Sequence, residues 1–190
     1  MPVKRAAFLD RDGTIIKEVD YLSRPDQIQL LPGVSEAIKL LNQAGILVLV
    51  VSNQSGVARG FFAEKTVRDI HSELVSILQK EGARLDAVYY CPHHPDGNPP
   101  YNIRCKCRKP EAGMILKAAE EFPINIRESV IIGDKISDIQ TGQRLQMKSI
   151  LVKTGYGEQQ GALLKQQQLP DADYFAENLL DAVSWWLKTT

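Results

Sequence analysis

Two carboxylates at i and i+2, Asp10 and Asp12, stand in the string FLDRDGT (Phe8 to Thr14), directly after a short apolar run. A carboxylate so placed can attack phosphorus as a nucleophile, accepting a phosphoryl group that is later hydrolysed. That chemistry needs a cation, because a carboxylate cannot approach a phosphate dianion without charge neutralisation. GDKISD, Gly133 to Asp138, supplies a further acid in Asp134 and a point charge for phosphate in Lys135. Mg²⁺ is commonly held by one or two carboxylates, substrate oxygens and waters. SNQS, Ser52 to Ser55, offers a hydroxyl, amides and backbone N–H groups, and RKP, Arg108 to Pro110, places two cations before a proline-started helix. Each string also has a plain alternative. DRDGT alone is an Asp-rich turn with Gly13 at positive φ, SNQS a helix cap, and RKP a solvated basic turn. Together they put a nucleophile, a hydroxyl, a cation and a metal acid at successive strand ends.

All three cysteines, Cys91, Cys105 and Cys107, fall in CPHHPDGNPPYNIRCKC, with His93 and His94 among them. A C-x-H pair and a C-x-C pair, eleven residues apart, give Cys91, His93, Cys105 and Cys107 as a closed tetrahedral zinc set. With no open position, such a site is structural, pinning a long loop (91–107) that has little core of its own. The alternative is a proline-rich loop with buried thiols. His71 lies mid-helix and is expected to be an ordinary surface or half-buried histidine.

The elements that must position these groups alternate strand with helix. Short aliphatic runs at Ala6 to Leu9, Ile46 to Val51, Ala87 to Tyr90, Ser129 to Ile132 and Ile150 to Val152 read as buried strands, with Tyr174–Phe175 a short edge strand. Helical stripes fill Val34 to Gly45, the segment after Ala63, Glu111 to Phe122, Ser137 to Leu145 and Leu179 to Leu187. The glutamine-rich piece Gln159 to Gln168 reads as a solvated helix or connector. Alternation of this kind predicts an α/β fold, a doubly wound and mostly parallel Rossmann-like sheet. Ligands then bind past the carboxyl ends of the strands, where the polar strings fall.

Composition agrees with one soluble globular domain over 1–190. Apolar types make up 44% of the 190 residues, and 23 Lys plus Arg balance 23 Asp plus Glu. A chain of this length buries roughly 70% of its unfolded surface. Net charge zero offers no support for nucleic-acid binding. The longest aliphatic run, Ile46 to Val51, is far short of the roughly 18 residues a membrane span needs. MPVKRAAFLD has no apolar stretch of signal-peptide length, so a cytoplasmic monomer is expected.

With those strings in order, the chain resembles the haloacid dehalogenase superfamily phosphatases: DRDGT, SNQS, Lys109 and GDKISD match their four motifs over almost the whole length. The resemblance implies Asp10 as nucleophile and Asp12 as general acid, then base. It implies Mg²⁺ held by Asp10, the Asp12 backbone carbonyl and Asp134, with Ser52 and Lys109 neutralising the phosphoryl oxygens. Ser52 stands where threonine is commoner, but the hydroxyl is kept. YYCPHHPDG, CKCRKP and SNQSGVARG further resemble the heptose-bisphosphate 7-phosphatases, which serve lipopolysaccharide-core precursor synthesis. The histidinol-phosphate phosphatases share a shorter zinc loop, and an inactive zinc-stabilised binding module is the alternative of another class. Gly56 to Arg108 leaves no room for a large cap. Substrate selection for a sugar bisphosphate therefore falls to three loops, with Arg11, Glu18, Val19, Asp20, Tyr21, Asn53, Gln54, Ser55, Arg59, Arg108 and Lys135 as expected contacts.

Overall fold

Aliphatic runs form strands and 3.6-spaced stripes form helices throughout the computed structural model, which describes residues 2–189. In chain order the elements are β1 (Ala6–Leu9), α1 (Val34–Gln43), β2 (Leu47–Asn53), a one-turn helix α2 (Ser55–Ala58), α3 (Glu64–Lys80), β3 (Ala87–Cys91), α4 (Gly113–Glu121), β4 (Val130–Gly133), α5 (Ile136–Leu145), β5 (Lys148–Val152), α6 (Gly157–Gln166), β6 (Tyr174–Ala176) and α7 (Leu179–Thr189). The strands form one six-stranded sheet in the order β3-β2-β1-β4-β5-β6, and every pairing is parallel. The fold is the doubly wound α/β sheet expected.

Both faces of the sheet are covered, because alternate strand residues point to opposite sides. Ala7, Leu9, Val48, Val50, Val130 and Ile132 pack with α1, α3 and α7. Ala6, Phe8, Leu47, Leu49, Val51 and Ile131 pack with Met114, Ile115 and Ala118 of α4 on the other side. Each fully buried Leu, Ile or Phe contributes roughly 1.5–3 kcal/mol, so the central strands have little freedom to slip. β1 lies between β2 and β4, which leave it in opposite directions across the sheet. A crevice opens at this switch point, beyond the carboxyl ends of those strands.

Several boundaries shift by a residue or two from the sequence expectation, and three departures have a clear physical reason. β2 runs on through Ser52 and Asn53, which stay paired with Tyr90 and Cys91. α4 starts at Gly113, because the chain before it turns back and the Gly113 amide donates to the Lys106 carbonyl at 2.8 Å. The glutamine-rich piece is helical to Gln166, with Leu164 buried against Ile139 and Leu151. The described residues contain no inserted cap domain: between Gly56 and Arg108 lie only α2, α3, β3 and the cysteine-bearing loop. Among the described residues no helix is long and apolar enough to cross a membrane.

Candidate active site

Asp10 leaves the carboxyl end of β1, its amide donating to the Ile132 carbonyl of β4 at 2.9 Å. Its carboxylate lies in a small pit of ≈ 220 Å³ lined by Asp10, Asp12, Ser52, Asn53, Lys109, Lys135 and Ser137. Outside it opens a cleft of ≈ 560 Å³, whose walls include Arg11, Glu18, Asp20, Tyr21, Gln54, Ser55, Lys135 and Tyr156. Asp12, Asn53 and Lys135 border both spaces. Asp12 thus stands at the throat between the pit that holds Asp10 and the wider cleft outside it.

Charge in the pit is balanced by two lysines. Lys109 Nζ lies 2.8 Å from Asp10 Oδ1 and 2.6 Å from Asp138 Oδ1, and donates to the Val51 carbonyl at 2.7 Å. Burial alone would raise the Asp10 pKa, but Lys109 and then Lys135 reverse that and hold the carboxyl below the usual range. Burial also works against the Lys109 charge, and Asp10 and Asp138 outweigh it. Asn53 fixes where Lys109 starts: its amide donates to the Lys109 carbonyl and its Oδ1 accepts from the Lys109 amide, both at 3.0 Å. Lys135 reaches Glu18 at 3.2 Å and lies 5.1 Å from the centroid of the Tyr156 ring.

Asp10, Asp134 and Asp138 each bring one carboxylate oxygen within 4.8 Å of the others. Both Asp134 Oδ1 and Asp138 Oδ1 are buried without a geometrically good hydrogen bond, but Asp138 is ion-paired with Lys109 whereas Asp134 has no such cation among the described residues. Burial, then the Asp10 charge, push Asp134 up to about 8. An orphaned acid beside a second carboxylate is the environment a divalent cation relieves, so these residues fit Mg²⁺. Gly13 makes the close approach possible. It has φ +79°, and a Cβ there would fall 2.2 Å from Asp134 Oδ2.

The cysteine loop begins where β3 ends. The sulfurs of Cys91, Cys105 and Cys107 lie 3.0–3.4 Å apart, with His93 Nδ1 at 3.4 Å from Cys107 Sγ and 3.7 Å from Cys91 Sγ. All four ligand atoms face one point, and their softness and number fit a closed tetrahedral zinc site.

Several expected contacts are turned elsewhere. Arg11 is 1% exposed. It borders the cleft, but its guanidinium is spent on Asp12 at 2.9–3.1 Å, on Gln54 Oε1 at 3.1 Å and on His71 Nε2 at 3.1 Å. Gln54 donates inward to Asp12 and Ser52, and Asp20 accepts from the Tyr156 hydroxyl. Val19 packs against the core and lines an adjoining hollow with Glu18, Asp20 and Tyr156 rather than the main cleft. Arg59 and Arg108 lie outside the cleft wall. The side chain of Asp12 is not among the converging metal acids; its backbone carbonyl remains. His71 is a correction as well: at 6% exposure it is buried, on the face of α3 that carries Val67, Ile70 and Leu74.

Asp138 and Tyr156 went unassigned in the sequence, and His71 was placed at or near the surface. Asp138 follows Asp134 by four positions in GDKISD, a spacing that returns to the same side of a helix start. Tyr156, from the loop after β5, donates its amide to Asp134 Oδ2 at 2.9 Å. No local pattern marks it. His71 stands four residues after Val67 and three before Leu74, and that stripe alone marks it as buried.

Fold and site together define a phosphatase of the haloacid dehalogenase class, and the family model described as HAD-hydrolase-like matches residues 106–182. The chain is 36% identical over 183 residues to D-glycero-beta-D-manno-heptose-1,7-bisphosphate 7-phosphatase of Haemophilus influenzae, covering 94% of this chain and 95% of that one. It is 40% identical over 187 residues to D-glycero-D-manno-heptose-1,7-bisphosphate 7-phosphatase of Thermosynechococcus vestitus, covering 95% and 94%. The crystal structure of D,D-heptose 1,7-bisphosphate phosphatase from B. bronchiseptica, complexed with magnesium and phosphate, superposes with a TM-score of 0.85 at 33% identity, over 98% of this chain and 99% of that one. The chain belongs to the heptose-bisphosphate 7-phosphatase family of haloacid dehalogenase-like hydrolases.

Proposed function

We propose that this chain, acting as a single phosphatase domain over 1–190, removes the C7 phosphate of D-glycero-D-manno-heptose 1,7-bisphosphate, a step in nucleotide-heptose and lipopolysaccharide-core precursor synthesis in the cytoplasm. The observation that carries the reading is Asp10 in a pit between two lysines, with Asp12 at its throat. Asp10 attacks phosphorus with a carboxylate oxygen, and the bond to the sugar oxygen breaks. Asp12 protonates that leaving oxygen, then takes a proton from the water that attacks the aspartyl phosphate. The phosphorus–Asp10 bond breaks in turn and releases phosphate. Lys109 and the Ser52 hydroxyl hold the phosphoryl oxygens, and Lys135 adds charge at the mouth of the pit.

Mg²⁺, held by Asp10, Asp134 and the Asp12 carbonyl, would neutralise charge on the phosphoryl group. Zn²⁺ on Cys91, His93, Cys105 and Cys107 would fix loop 91–107, whose last turn delivers Arg108 and Lys109. Arg59 and Arg108 support a bisphosphate substrate. Among the described residues neither pairs with a carboxylate, Arg59 Nε is buried without a partner, and burial together with the Arg59 charge pushes the Arg108 guanidinium down. Two cations close enough to feel each other's charge are stabilised by a second phosphate.

The test is turnover of heptose 1,7-bisphosphate beside histidinol phosphate with Mg²⁺, following released phosphate by ³¹P NMR, in wild type, Asp10→Asn and Asp12→Asn. Wild type should prefer the heptose. Asp10→Asn should be folded and inactive, and Asp12→Asn slower by roughly 10²–10⁴-fold. Preferred hydrolysis of histidinol phosphate would reassign the substrate. Turnover by Asp10→Asn would refute the mechanism, and a folded, metal-loaded wild type without turnover would make the chain a binding module.

A further inference from the structure

One buried ionisable side chain has no part in that mechanism. His71 sits on α3, sixty residues from the DRDGT turn in sequence, with its ring edge-on to Tyr90 at a centroid distance of 5.5 Å. Its Nε2 lies 3.1 Å from Arg11 Nη1. A guanidinium can only donate, so Nε2 is the acceptor and the ring proton is on Nδ1. Arg11 presents its other edge to Asp12: Nε to Oδ1 at 3.1 Å, and Nη2 to both oxygens at 2.9 Å. Gln54 Nε2 completes the cradle, donating to Asp12 Oδ2 at 3.0 Å.

Every partner of Asp12 in this cradle is a donor. The arrangement suits Asp12 as a carboxylate, the form in which it takes a proton from water. The guanidinium keeps this pose only while its far edge is satisfied, since an unpaired charged N–H in a buried site costs at least roughly 1–3 kcal/mol. A different Arg11 rotamer would leave Asp12 to turn with it.

We propose that His71 is a positioning residue for the second half-reaction, holding Arg11 so that Arg11 and Gln54 orient Asp12 toward the water that cleaves the aspartyl phosphate. The proposal rests on the phosphatase mechanism above, and on the Asp12 role in particular. It makes aspartyl-phosphate hydrolysis, rather than its formation, the step sensitive to α3.

The experiment compares His71→Leu, which removes the acceptor, with His71→Gln, whose Oε1 can take the place of Nε2. The probe is p-nitrophenyl phosphate, whose leaving group departs without a proton donor. His71→Leu should show a burst of about one nitrophenolate per site, then turnover slowed by roughly tenfold or more, on the scale that misorientation of a catalytic group costs. His71→Gln should restore turnover and abolish the burst. Wild-type turnover by His71→Leu, or a loss with no burst and no rescue by His71→Gln, overturns the proposal. Because His71→Leu can fail to fold, ring ¹⁵N NMR of the wild type tests the linkage independently: a neutral His71 protonated on Nδ1 supports it, and a proton on Nε2 refutes it. Asp10→Asn runs alongside. If it turns over, the mechanism itself has failed; if it is inactive while His71→Leu behaves as wild type, only the role of His71 has.

Discussion

The ammonium nitrogen of Lys109 lies 2.8 Å from Oδ1 of Asp10, and both side chains are almost wholly buried. The same nitrogen reaches Asp138 at 2.6 Å. Removing the lysine therefore leaves two buried carboxylates without their cation. Lys109→Met should lower stability by about 3–5 kcal/mol, the usual consequence of breaking a buried ion pair from one side. Turnover of sugar and aryl phosphates should be lost together, because the lysine meets the group being transferred and not the leaving group. Urea unfolding and steady-state kinetics check both, and selective loss of one substrate would remove Lys109 from the phosphoryl site.

The two metals should separate cleanly. A weak chelator should stop catalysis reversibly by taking Mg²⁺, leaving about one zinc per chain, the stoichiometry one Cys₃His set supports. Cys107→Ser should lose zinc and loosen loop 91–107, seen as faster amide exchange there, before the DRDGT turn is affected. A zinc-free wild type of equal activity and stability would refute the structural role.

The Arg108 side chain donates from Nη1 to the His93 carbonyl at 3.3 Å. It is the neighbour of Lys109 but does not line the pit. Arg108→Ala should lower kcat/KM for the heptose bisphosphate by tenfold or more, roughly the loss of one charge-assisted contact of 1.5–3 kcal/mol, and spare p-nitrophenyl phosphate. Equal losses on the two substrates would mean that Arg108 supplies only background charge.

His71 should make the fold sensitive to acid. Burial, then the charge of Arg11, push it from the ordinary 6.5 down to about 3. Between those values the unfolded chain binds a proton that the folded chain does not. Stability present above about pH 6.5 is therefore lost as pH falls through that window, by up to about 1.4 kcal/mol per pH unit. His71→Gln lacks this proton. Its urea midpoint should fall less steeply than that of wild type between about pH 7 and pH 4.5, and parallel curves would show that His71 titrates normally in the fold.

Residue types in order were enough to determine the class of sheet, the approximate strands and the chemical inventory. Aliphatic runs such as Ile46 to Val51 fit only a strand covered on both faces, and each ends abruptly in polar residues that must lie at one edge. The convergence of Cys91, His93, Cys105 and Cys107 was legible because thiols and imidazole gathered in one loop have few other uses. Tertiary structure alone decided which polar group each side chain meets. Asn53 holds the Lys109 backbone 56 residues away, and Arg11 turns inward to His71 at a separation of 60. Val19 packs on the core while its neighbours Glu18 and Asp20 line the cleft. The physical reason is one of range. Burial imposes a period that any local stretch displays, whereas a hydrogen-bonding rotamer is chosen by partners that only the closed fold brings within 3 Å or so.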